Sequence, residues 1–406
     1  MNDEGILRGL AEQYLNISID QQNAENLKLH TAVNDNRMIR PVVLIDELPW
    51  SELNNDDELT LHCSDSFLRE MEWYMRTTLY KFRHLRADMI VRPYLPVQKV
   101  VHSTGFGFNV EEDTISTKKV NNIVSHAYHD QLSSEDDLEK FHNEVITYDR
   151  EETLRRYNLL GSMVGNIIPV RVTGMDYVYC VTWDTIATLH GVSNLLIDLV
   201  DRPEFMHSIA EKMTEITVDT YLQYEALDLF DPDPYSLHCT PIATSDLPRK
   251  DHKTLKDIWG RGTAQIFGTV SKQMHDEFDI EYMKRTVGRC GLVYYGCCEP
   301  LDRKIDIVEK IPNLRKISIT PWANIDVAAE AINGRYVIAS KPNPSSVAVG
   351  NLDKDALRQE IKRILEACRR NGCSCDIVLK DISTCGSRPQ NIFEWEQTVM
   401  DLVKHY

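Results

Sequence analysis

The chain has 406 residues, of which 45 are Lys or Arg and 62 are Asp or Glu, so that its formal net charge is −17. This acidic excess argues against a nucleic-acid partner, because polyanions are held mainly by clustered Lys and Arg. A hydrophobic fraction of 42% and a charged fraction of 26% are typical of globular proteins and exclude a disordered or collagen-like chain.

Neither a membrane span nor a secretion signal is visible in the sequence. No apolar run approaches the ~18 residues that a membrane span needs, and charged residues interrupt the apolar positions of the N-terminus. We therefore expect a cytoplasmic protein without a membrane partner. In that compartment the ten cysteines are expected to be buried thiols, metal ligands or catalytic groups rather than disulfides.

The N-terminal part of the chain predicts helices, short strands and then an irregular segment. Apolar side chains spaced for one helical face over residues 1–30 predict an N-terminal helical arm, which with its extension occupies residues 1–64. The elements predicted next are a strand at 41–45, a helix at 66–85 capped by Ser66, and a strand at 87–91. Residues 93–149 lack regular periodicity, which predicts an insertion that serves as a lid or binding loop.

Farther along the chain, strand and helix patterns alternate with short connections, which is typical of a parallel sheet covered by helices. The predicted strands of the whole chain are centred near residues 43, 89, 170, 237, 293, 317, 337 and 377. The helices of the last third are predicted at 272–288, 301–310, 324–332, 354–371 and 391–404. Eight strand-helix units favour an α/β protein with a single (β/α)8 TIM barrel over residues 65–406. An open doubly wound sheet is the alternative, although the Gly-x-Gly-x-x-Gly turn that commonly marks it is absent.

Reactive groups of such a barrel lie where the strands end, because the loops that follow them gather around one mouth. Four predicted strand ends carry chemically versatile residues: Ser236-Leu-His238-Cys239, Tyr294-Tyr-Gly-Cys297-Cys298-Glu299, Ser340-Lys341 and Lys380-Asp381-Ile-Ser-Thr-Cys385-Gly386. A site on this barrel is therefore expected to draw on these segments.

Cys297, Cys298 and Glu299 form the densest of these groups, and thiolates and carboxylates are both good zinc ligands. A catalytic zinc needs about three protein ligands. Cys385 could supply another, and His238 or its neighbouring cysteine a further one from across the mouth. The alternative is that the adjacent cysteines are small buried side chains, since neighbours on a strand point to opposite sides unless a turn begins there.

Asp381 and Lys341 are the candidates for acid–base chemistry. The hydrophobic run Ile377-Val-Leu379 stops at two charges, which is costly in a core and natural at a mouth. Asp381 could act as a general base or bind a substrate hydroxyl, and the alternative is an ion pair with Lys341 or Lys380. Tyr295 could line a pocket here or belong to the core.

Five segments carry a resemblance to a known family. They are His190-Gly-Val-Ser-Asn-Leu-Leu-Ile-Asp-Leu-Val-Asp-Arg-Pro-Glu204, Met274-His-Asp-Glu-Phe278, Gly291-Leu-Val-Tyr-Tyr-Gly-Cys-Cys-Glu-Pro300, Ile311-Pro-Asn-Leu-Arg-Lys-Ile-Ser318 and Leu379-Lys-Asp-Ile382. With them the chain resembles the uroporphyrinogen decarboxylase superfamily over residues 65–405, most specifically after residue 190. Within that superfamily it is similar to a branch that carries the Gly-Cys-Cys-Glu-Pro element.

The superfamily implies two kinds of chemistry. Its decarboxylases are cofactor-free and hold the carboxylates of a tetrapyrrole with an arginine-rich N-terminal motif, which this chain lacks. Its zinc-dependent methyltransferases move a methyl group between a corrinoid protein and a thiol, and carry a His-x-Cys and a later Cys-Gly element. These elements fall on Tyr295-Gly-Cys297, with Tyr295 in the place of the histidine, and on Cys385-Gly386. The resemblance thus implies zinc ligands drawn from Cys297 or Cys298, Cys385, and Glu299 or His238.

We therefore predict a zinc-dependent methyltransferase that acts with a separate corrinoid protein on a small methylated substrate or thiol. Tyr295, Lys341 and Asp381 are the predicted catalytic side chains. The alternatives are a cofactor-free decarboxylase or lyase that uses Asp381 and Lys341, and a barrel that binds a ligand without chemistry. The sequence leaves the oligomeric state open, a homodimer included.

Overall fold

The structure is a computed structural model that describes residues 2–116 and 124–406. Within these residues the α-helices are α1 (Asp3–Ser18), α2 (Gln22–Asn34), α3 (Trp50–Leu53), α4 (Ser66–His84), α5 (Arg150–Val164), α6 (Thr182–His190), α7 (Val192–Asp201), α8 (Pro203–Ala226), α9 (Lys272–His275), α10 (Glu281–Met283), α11 (Ile305–Val308), α12 (Ile325–Ile332), α13 (Lys354–Arg370) and α14 (Gln390–Val403). The strands are β1 (Val42–Ile45), β2 (Leu95–Gln98), β3 (Val100–Ser103), β4 (Glu112–Ser116), β5 (Val124–Tyr128), β6 (Ile146–Asp149), β7 (Val170–Thr173), β8 (Tyr177–Cys180), β9 (Ser236–Leu237), β10 (Thr240–Pro241), β11 (Trp259–Gly262), β12 (Leu292–Tyr295), β13 (Leu314–Ile319), β14 (Val337–Ser340) and β15 (Cys375–Leu379).

Seven strands form one parallel sheet in the order β1-β15-β14-β13-β12-β11-β8. Val43 lies opposite Ile377, and Ile317 lies opposite Ile338. Buried apolar side chains fill these strands, as expected for a parallel sheet covered on both faces. The protein is therefore a mixed α/β structure whose sheet is compatible with a (β/α)8 barrel. Because the strands run in one direction, the loops that follow them share one edge, and that edge carries the candidate site.

Most of the predicted elements are confirmed. The strand positions near 43, 170, 293, 317, 337 and 377 coincide with β1, β7, β12, β13, β14 and β15. The last three predicted helices match α12, α13 and α14 within one residue at either end. The helix predicted at 301–310 is shortened to α11, and the helix predicted at 272–288 is interrupted by a π-helical turn at Asp276–Ile280.

The strand predicted at 87–91 is wrong. Ala87 has a φ of 40°, which ends the extended conformation, and the chain turns there. The carboxylate of Asp88 fixes the turn, because it accepts hydrogen bonds from the Arg40 guanidinium at 2.6 and 2.8 Å and from the Val43 backbone N–H at 2.9 Å. The segment is thereby tied to β1 without adding a strand to the sheet.

The strand predicted at 235–239 is also wrong as a member of the parallel sheet. Its residues contribute only β9, which pairs antiparallel with β10 in a tight hairpin. His238 and Cys239 form the turn, with φ angles of 29° and 63° in the left-handed region. The hairpin replaces the expected strand and turns both side chains toward the candidate site.

Two strands of the sheet, β8 and β11, were not predicted from the sequence. β11 is Trp259-Gly-Arg-Gly262, which has neither an apolar run nor an alternating pattern. A Cβ atom on Gly260 would lie 2.8 Å from the Cys290 Sγ, and one on Gly262 would lie 2.8 Å from the Met283 Sδ. Close packing therefore demands glycine in a strand whose composition argues against one.

The predicted insertion at 93–149 contains more regular structure than expected. β2 pairs parallel with β7, β3 pairs antiparallel with β6, and β4 pairs antiparallel with β5. Residues 117–123, in the middle of this insertion, lie outside the described residues. The structure thus shows the insertion as small two-stranded sheets beside the main one.

The predicted N-terminal helical arm consists of two helices, of which α1 packs against α4 and α5. α4 is capped by Asp65, whose carboxylate accepts from the Leu68 backbone N–H at 3.0 Å, and not by Ser66 as predicted. The chain before residue 64 also supplies β1 to the main sheet. In the described part of the chain, no helix is both long enough and apolar enough to cross a membrane.

Candidate active site

The two adjacent cysteines lie on a turn that directly follows β12. Gly296 has a φ of 100°, and a Cβ atom there would lie 2.7 Å from Leu301 Cδ1, so this position requires glycine. The turn breaks the alternation of the strand and brings the two sulfur atoms to the same side. Cys297 Sγ and Cys298 Sγ are 3.7 Å apart. The condition that the sequence left open, a turn at this point, is therefore met.

His238 joins this pair from the β9–β10 hairpin. Its Nε2 lies 3.7 Å from Cys297 Sγ, and its Nδ1 lies 3.8 Å from Glu47 Oε1. Glu47, His238 and Cys239 form a group that could hold a metal ion, because their ligand atoms lie within 4.8 Å of one another. His238 therefore lies next to both groups of candidate metal ligands, the Cys297–Cys298 pair and Glu47 with Cys239.

The backbone of this region is strained. Residues other than glycine rarely adopt positive φ angles, which cost about 1–3 kcal/mol each and cluster at functional sites. The site residues in this conformation are Glu47 (48°), His238 (29°), Cys239 (63°) and Asp381 (57°). These strained residues come from three separate chain segments and lie in one region, which supports a functional role for that region.

The ammonium group of Lys380 lies in the centre of the site. Its Nζ is 2.6 Å from Asp381 Oδ2 and 3.8 Å from Glu47 Oε2. It also lies 3.6 Å from Cys297 Sγ and 3.9 Å from Cys298 Sγ. Lys380 is only 4% exposed, so its charge acts on these neighbours with little screening by water. The ion pair predicted as an alternative for Asp381 thus exists with Lys380.

Cys297 is placed to be a thiolate. The hydrogen bond with the Cys298 thiol, together with His238 and the charge of Lys380, holds the pKa of Cys297 well below its usual range. The same contact raises the pKa of Cys298, so that the two sulfur atoms share one proton between them. The lowered pKa of Cys297 favours its thiolate, the form of cysteine that acts as a nucleophile or metal ligand.

Glu299 holds the turn rather than facing the sulfur atoms. One carboxylate oxygen accepts from the Cys297 backbone N–H at 2.9 Å, and the other accepts from Thr263 Oγ1 at 2.8 Å and the Ala264 backbone N–H at 3.2 Å. Burial raises the pKa of Glu299 to about 7. Both oxygens are thus engaged in fixing the position of Cys297.

Cys385 is not brought to the cysteine pair. Its Sγ donates to Glu52 Oε2 at 3.2 Å, and the same oxygen accepts from the backbone N–H groups of Cys385 and Ser387. Burial raises the pKa of Cys385 to about 11, which keeps it a thiol. Among the described residues, the hydrogen-bonding partners of Cys297 and Cys298 do not include it.

Tyr295 lies behind the site in the core. Its hydroxyl donates to Asp279 Oδ2 at 2.5 Å and lies 2.6 Å from His275 Nε2, and its side chain has no exposed surface. These partners belong to the π-helical turn and the residue before it. The structure therefore gives Tyr295 contacts that fix β12 to this helical segment, and none with the cysteine pair.

Lys341 is buried next to the site, but apart from Asp381. Its Nζ has no hydrogen-bond partner among the described residues, and its side chain is 4% exposed. Burial lowers the pKa of Lys341. Of the three predicted catalytic residues, Asp381 therefore contacts the cysteine pair directly, with Cys298 Sγ 3.7 Å from its Oδ2.

A cavity of about 810 Å3 opens beside the site, with Glu47, His238 and Cys239 in its wall. This volume accommodates a small organic molecule. Phe106 and Glu144, from the predicted insertion, also line it. A ligand in the cavity would lie against the imidazole that contacts the Cys297 thiolate.

Glu47 is the site residue that the sequence reasoning missed. It follows β1 as Ile45-Asp46-Glu47, a hydrophobic strand that stops on two charges, which is the signal that led to Asp381 on the last strand. β1 and β15 are neighbours in the sheet, and the Asp381 backbone N–H donates to Glu47 Oε2 at 3.1 Å. The same rule applied to the first strand would have found it.

Lys380→Met tests the origin of the thiolate. At about 4 Å and an effective dielectric constant near 20, an ion pair of this kind is worth about 4 kcal/mol, so its loss raises the pKa of Cys297. We expect the thiolate absorbance in ultraviolet difference spectra to persist to acidic pH in the wild type and to disappear at a higher pH in the variant. Lys310→Met, on the exposed Lys310–Asp276 pair, is the matched control. Equal titration of all three proteins would contradict the assignment.

No family model matches the sequence, and no curated protein is detectably similar to it.

Proposed function

We propose that the protein is a zinc-dependent methyltransferase that works in the cytoplasm with a separate corrinoid protein. One observation carries the proposal: the Cys297 Sγ lies 3.7 Å from both the Cys298 Sγ and the His238 Nε2, and His238 in turn lines the cavity. Two sulfur atoms and an imidazole are preferred zinc donors. The first zinc element of the superfamily's methyltransferases, laid on this sequence, falls on the same turn, with Tyr295 in the place of its histidine.

The spacing of the two sulfur atoms is close to that of zinc ligands, and His238 adds a third donor beside Cys297. Two sulfur atoms bound to one tetrahedral zinc, each at about 2.3 Å, are about 3.8 Å apart, close to the separation of Cys297 and Cys298. Glu47 near the far nitrogen of His238 supplies the carboxylate that commonly orients a ligating imidazole. We therefore assign Cys297, Cys298 and His238 as ligands. Glu47, His238 and Cys239 are the competing set.

A bound zinc ion would lower the pKa of a coordinated thiol or polarise the heteroatom of a methyl donor. The methyl–heteroatom bond then breaks with its electron pair left on the heteroatom, and the acceptor supplies the pair of the new bond. In this proposal Glu299 fixes the Cys297 backbone, and Lys380 keeps Cys297 deprotonated when the metal is absent. With a metal bound, Asp381 and Glu47 would hold the ammonium group of Lys380, which lies 2.6 Å from Asp381 Oδ2 and 3.8 Å from Glu47 Oε2.

The decarboxylase alternative has less support. It requires cationic side chains that hold the carboxylate of a substrate, and no lysine or arginine lines the cavity in the described part of the chain. Asp381 and Lys341, its predicted catalytic pair, are not hydrogen-bonded to each other, since Asp381 pairs with Lys380. The observation that would favour it is activity that survives removal of the metal.

We also propose that the main sheet closes into a barrel. β2 pairs parallel with β7, and β8, which follows β7 directly, pairs with β11 at the end of the sheet. We propose that β7 and β8 act as one bent strand and that β2 lies between them and β1, which gives eight strands. The insertion, through Phe106 and Glu144, would cover the mouth as predicted. A crystal structure with β1 and β2 at opposite ends of an open sheet would contradict this closure.

The test is a zinc determination together with a methyl-transfer assay on the purified full chain. We expect near-stoichiometric zinc, and transfer between free cobalamin and a methylated amine, ether or thiol, followed by the absorbance change of the cobalamin. A strong chelator should remove both the zinc and the activity, and added zinc should restore them.

Two cysteine variants decide the ligand set. Cys298→Ser should lower the zinc content, whereas Cys239→Ser should leave it unchanged; the opposite result would place the ion with Glu47 and Cys239. Protein that binds no zinc, or activity that is unaffected by the chelator, would overturn the proposed function.

A further inference from the structure

The wall of the cavity has an unusual charge. Its acidic side chains are four carboxylates, and it has one imidazole but no lysine or arginine among the described residues that line it. The carboxylates are Asp46, Glu47, Glu144 and Asp176, and the aromatic side chains are Phe106, Tyr177, Tyr179, Tyr221 and Tyr224. Negative groups and aromatic rings around one space are the surroundings that proteins use to recognise organic cations.

Two of the carboxylates form no salt bridge in the described part of the chain. Asp176 accepts a backbone hydrogen bond from Ser236 at 3.3 Å, and Glu144 accepts hydroxyl hydrogen bonds from Ser103 and, at 2.6 Å, from Thr220. Burial raises the pKa of Asp176 to about 6, although the charge of Arg92 acts in the opposite direction. A cationic ligand would add to the partial compensation that Arg92 gives.

The other two carboxylates are partly neutralised from behind the wall. Lys81 Nζ is 3.4 Å from Asp46, and Lys380 Nζ is 3.8 Å from Glu47. Asp176 and Glu144 are thus the carboxylates of the wall that form no salt bridge in the described part of the chain.

The aromatic rings are suited to the same ligand. The guanidinium of Arg261 lies over the ring of Tyr179, 4.5 Å from its centroid, so one face of this ring is already occupied by a cation from behind the wall. Tyr177, Tyr224 and Phe106 are only half-buried, so parts of their surfaces remain free for a ligand. Tyr221 is 2% exposed, and its hydroxyl has no hydrogen-bond partner among the described residues.

We propose that the cavity binds a small organic cation, with an alkylated ammonium group held between the tyrosine rings and the carboxylates of Asp176 and Glu144. The reactive part of the molecule would then point toward His238 and Cys297. That this cation is a substrate rests on the proposed function, but its binding can be measured without any turnover. It narrows the substrate from methylated compounds in general to those that carry a positive charge.

The experiment compares two ligands of the same shape and different charge. Choline and its uncharged carbon isostere, 3,3-dimethylbutan-1-ol, are titrated by calorimetry into the full chain after treatment with a chelator. Removal of the metal separates the result from the zinc proposal. We expect choline to bind at least about 10-fold more tightly than the isostere. Equal affinities, or no choline binding at millimolar concentrations, would overturn the inference.

Variants then locate the binding. Asp176→Asn keeps an acceptor for the Ser236 N–H and should reduce the preference for choline about 10-fold, and Tyr224→Leu should reduce it independently. Asp251→Asn and Tyr157→Leu, at exposed positions away from the cavity lining, are the matched controls. Choline binding unchanged in both cavity variants would contradict the assignment. Choline binding without methyl transfer would leave the cation site intact and count against the proposed function alone.

Discussion

Cys297→Ser is expected to abolish methyl transfer and to weaken zinc binding at least about 100-fold. The loss of an outer partner of a metal ligand already costs about 10–100-fold, and a ligand removed outright should cost at least as much. Serine keeps the size of the side chain but has no thiolate, so Lys380 loses the anion at 3.6 Å while it keeps Asp381 at 2.6 Å. Zinc affinity is measured by competition with a chromophoric chelator.

Cys385→Ser is the discriminating control for this result. The family pattern implies Cys385 as a ligand, whereas in the structure its thiol donates to Glu52. A serine hydroxyl can donate to the same carboxylate, so zinc affinity and activity should stay within about 3-fold of the wild type. If Cys385→Ser lost the metal as completely as Cys297→Ser, the turn after β15 would have to close onto the cysteine pair in the holoenzyme, and our ligand set would be wrong.

Lys316→Met is expected to destabilise the fold by about 3–5 kcal/mol, the usual cost of removing one partner from a buried ion pair. Lys316 on β13 and Asp376 on β15 are both fully buried, with Nζ and Oδ2 2.7 Å apart. The ammonium group also donates to the Pro241 carbonyl at 3.0 Å, and Thr240 Oγ1 donates to the carboxylate at 3.2 Å. Without Lys316, the Asp376 charge stays buried, and among the described residues the Thr240 hydroxyl is the side-chain donor that still hydrogen-bonds to it.

The measurement is urea-induced unfolding followed by circular dichroism, in which the midpoint should fall. Lys316→Met combined with Asp376→Leu should recover part of the stability, because the double variant removes both charges of this pair. Lys310→Met, on an exposed ion pair, should change the free energy of unfolding by less than about 1 kcal/mol. A Lys316→Met protein as stable as the Lys310→Met control would contradict the buried role of this pair.

The sequence predicted the alternation of strands and helices well where the elements are strongly periodic. α12, α13 and α14 and the strands around them follow from apolar spacing and capping residues alone, since both are local properties. The sequence did not predict β11. Its two glycines are required because the Cys290 and Met283 side chains pack closely against them, and this packing exists only in the folded chain. The sequence did not predict the hairpin at His238 and Cys239 either, because residues other than glycine rarely adopt the left-handed conformation of its turn.

For the site, the sequence by itself determined which residue types are present and that strand ends would carry them. It identified Cys297, Cys298, His238 and Asp381 as candidates and named Lys380 as a possible ion-pair partner of Asp381; these five residues meet at one edge of the sheet. Which candidates converge became clear only from the folded chain. Glu47 lies beside His238, whereas the Cys385 thiol donates to Glu52. Glu299 accepts from the Cys297 backbone N–H, and Tyr295 is buried in the core next to Asp279. The physical reason is that a side chain's type is local, whereas its direction and its partner depend on turns such as Gly296 and on chain segments hundreds of residues apart.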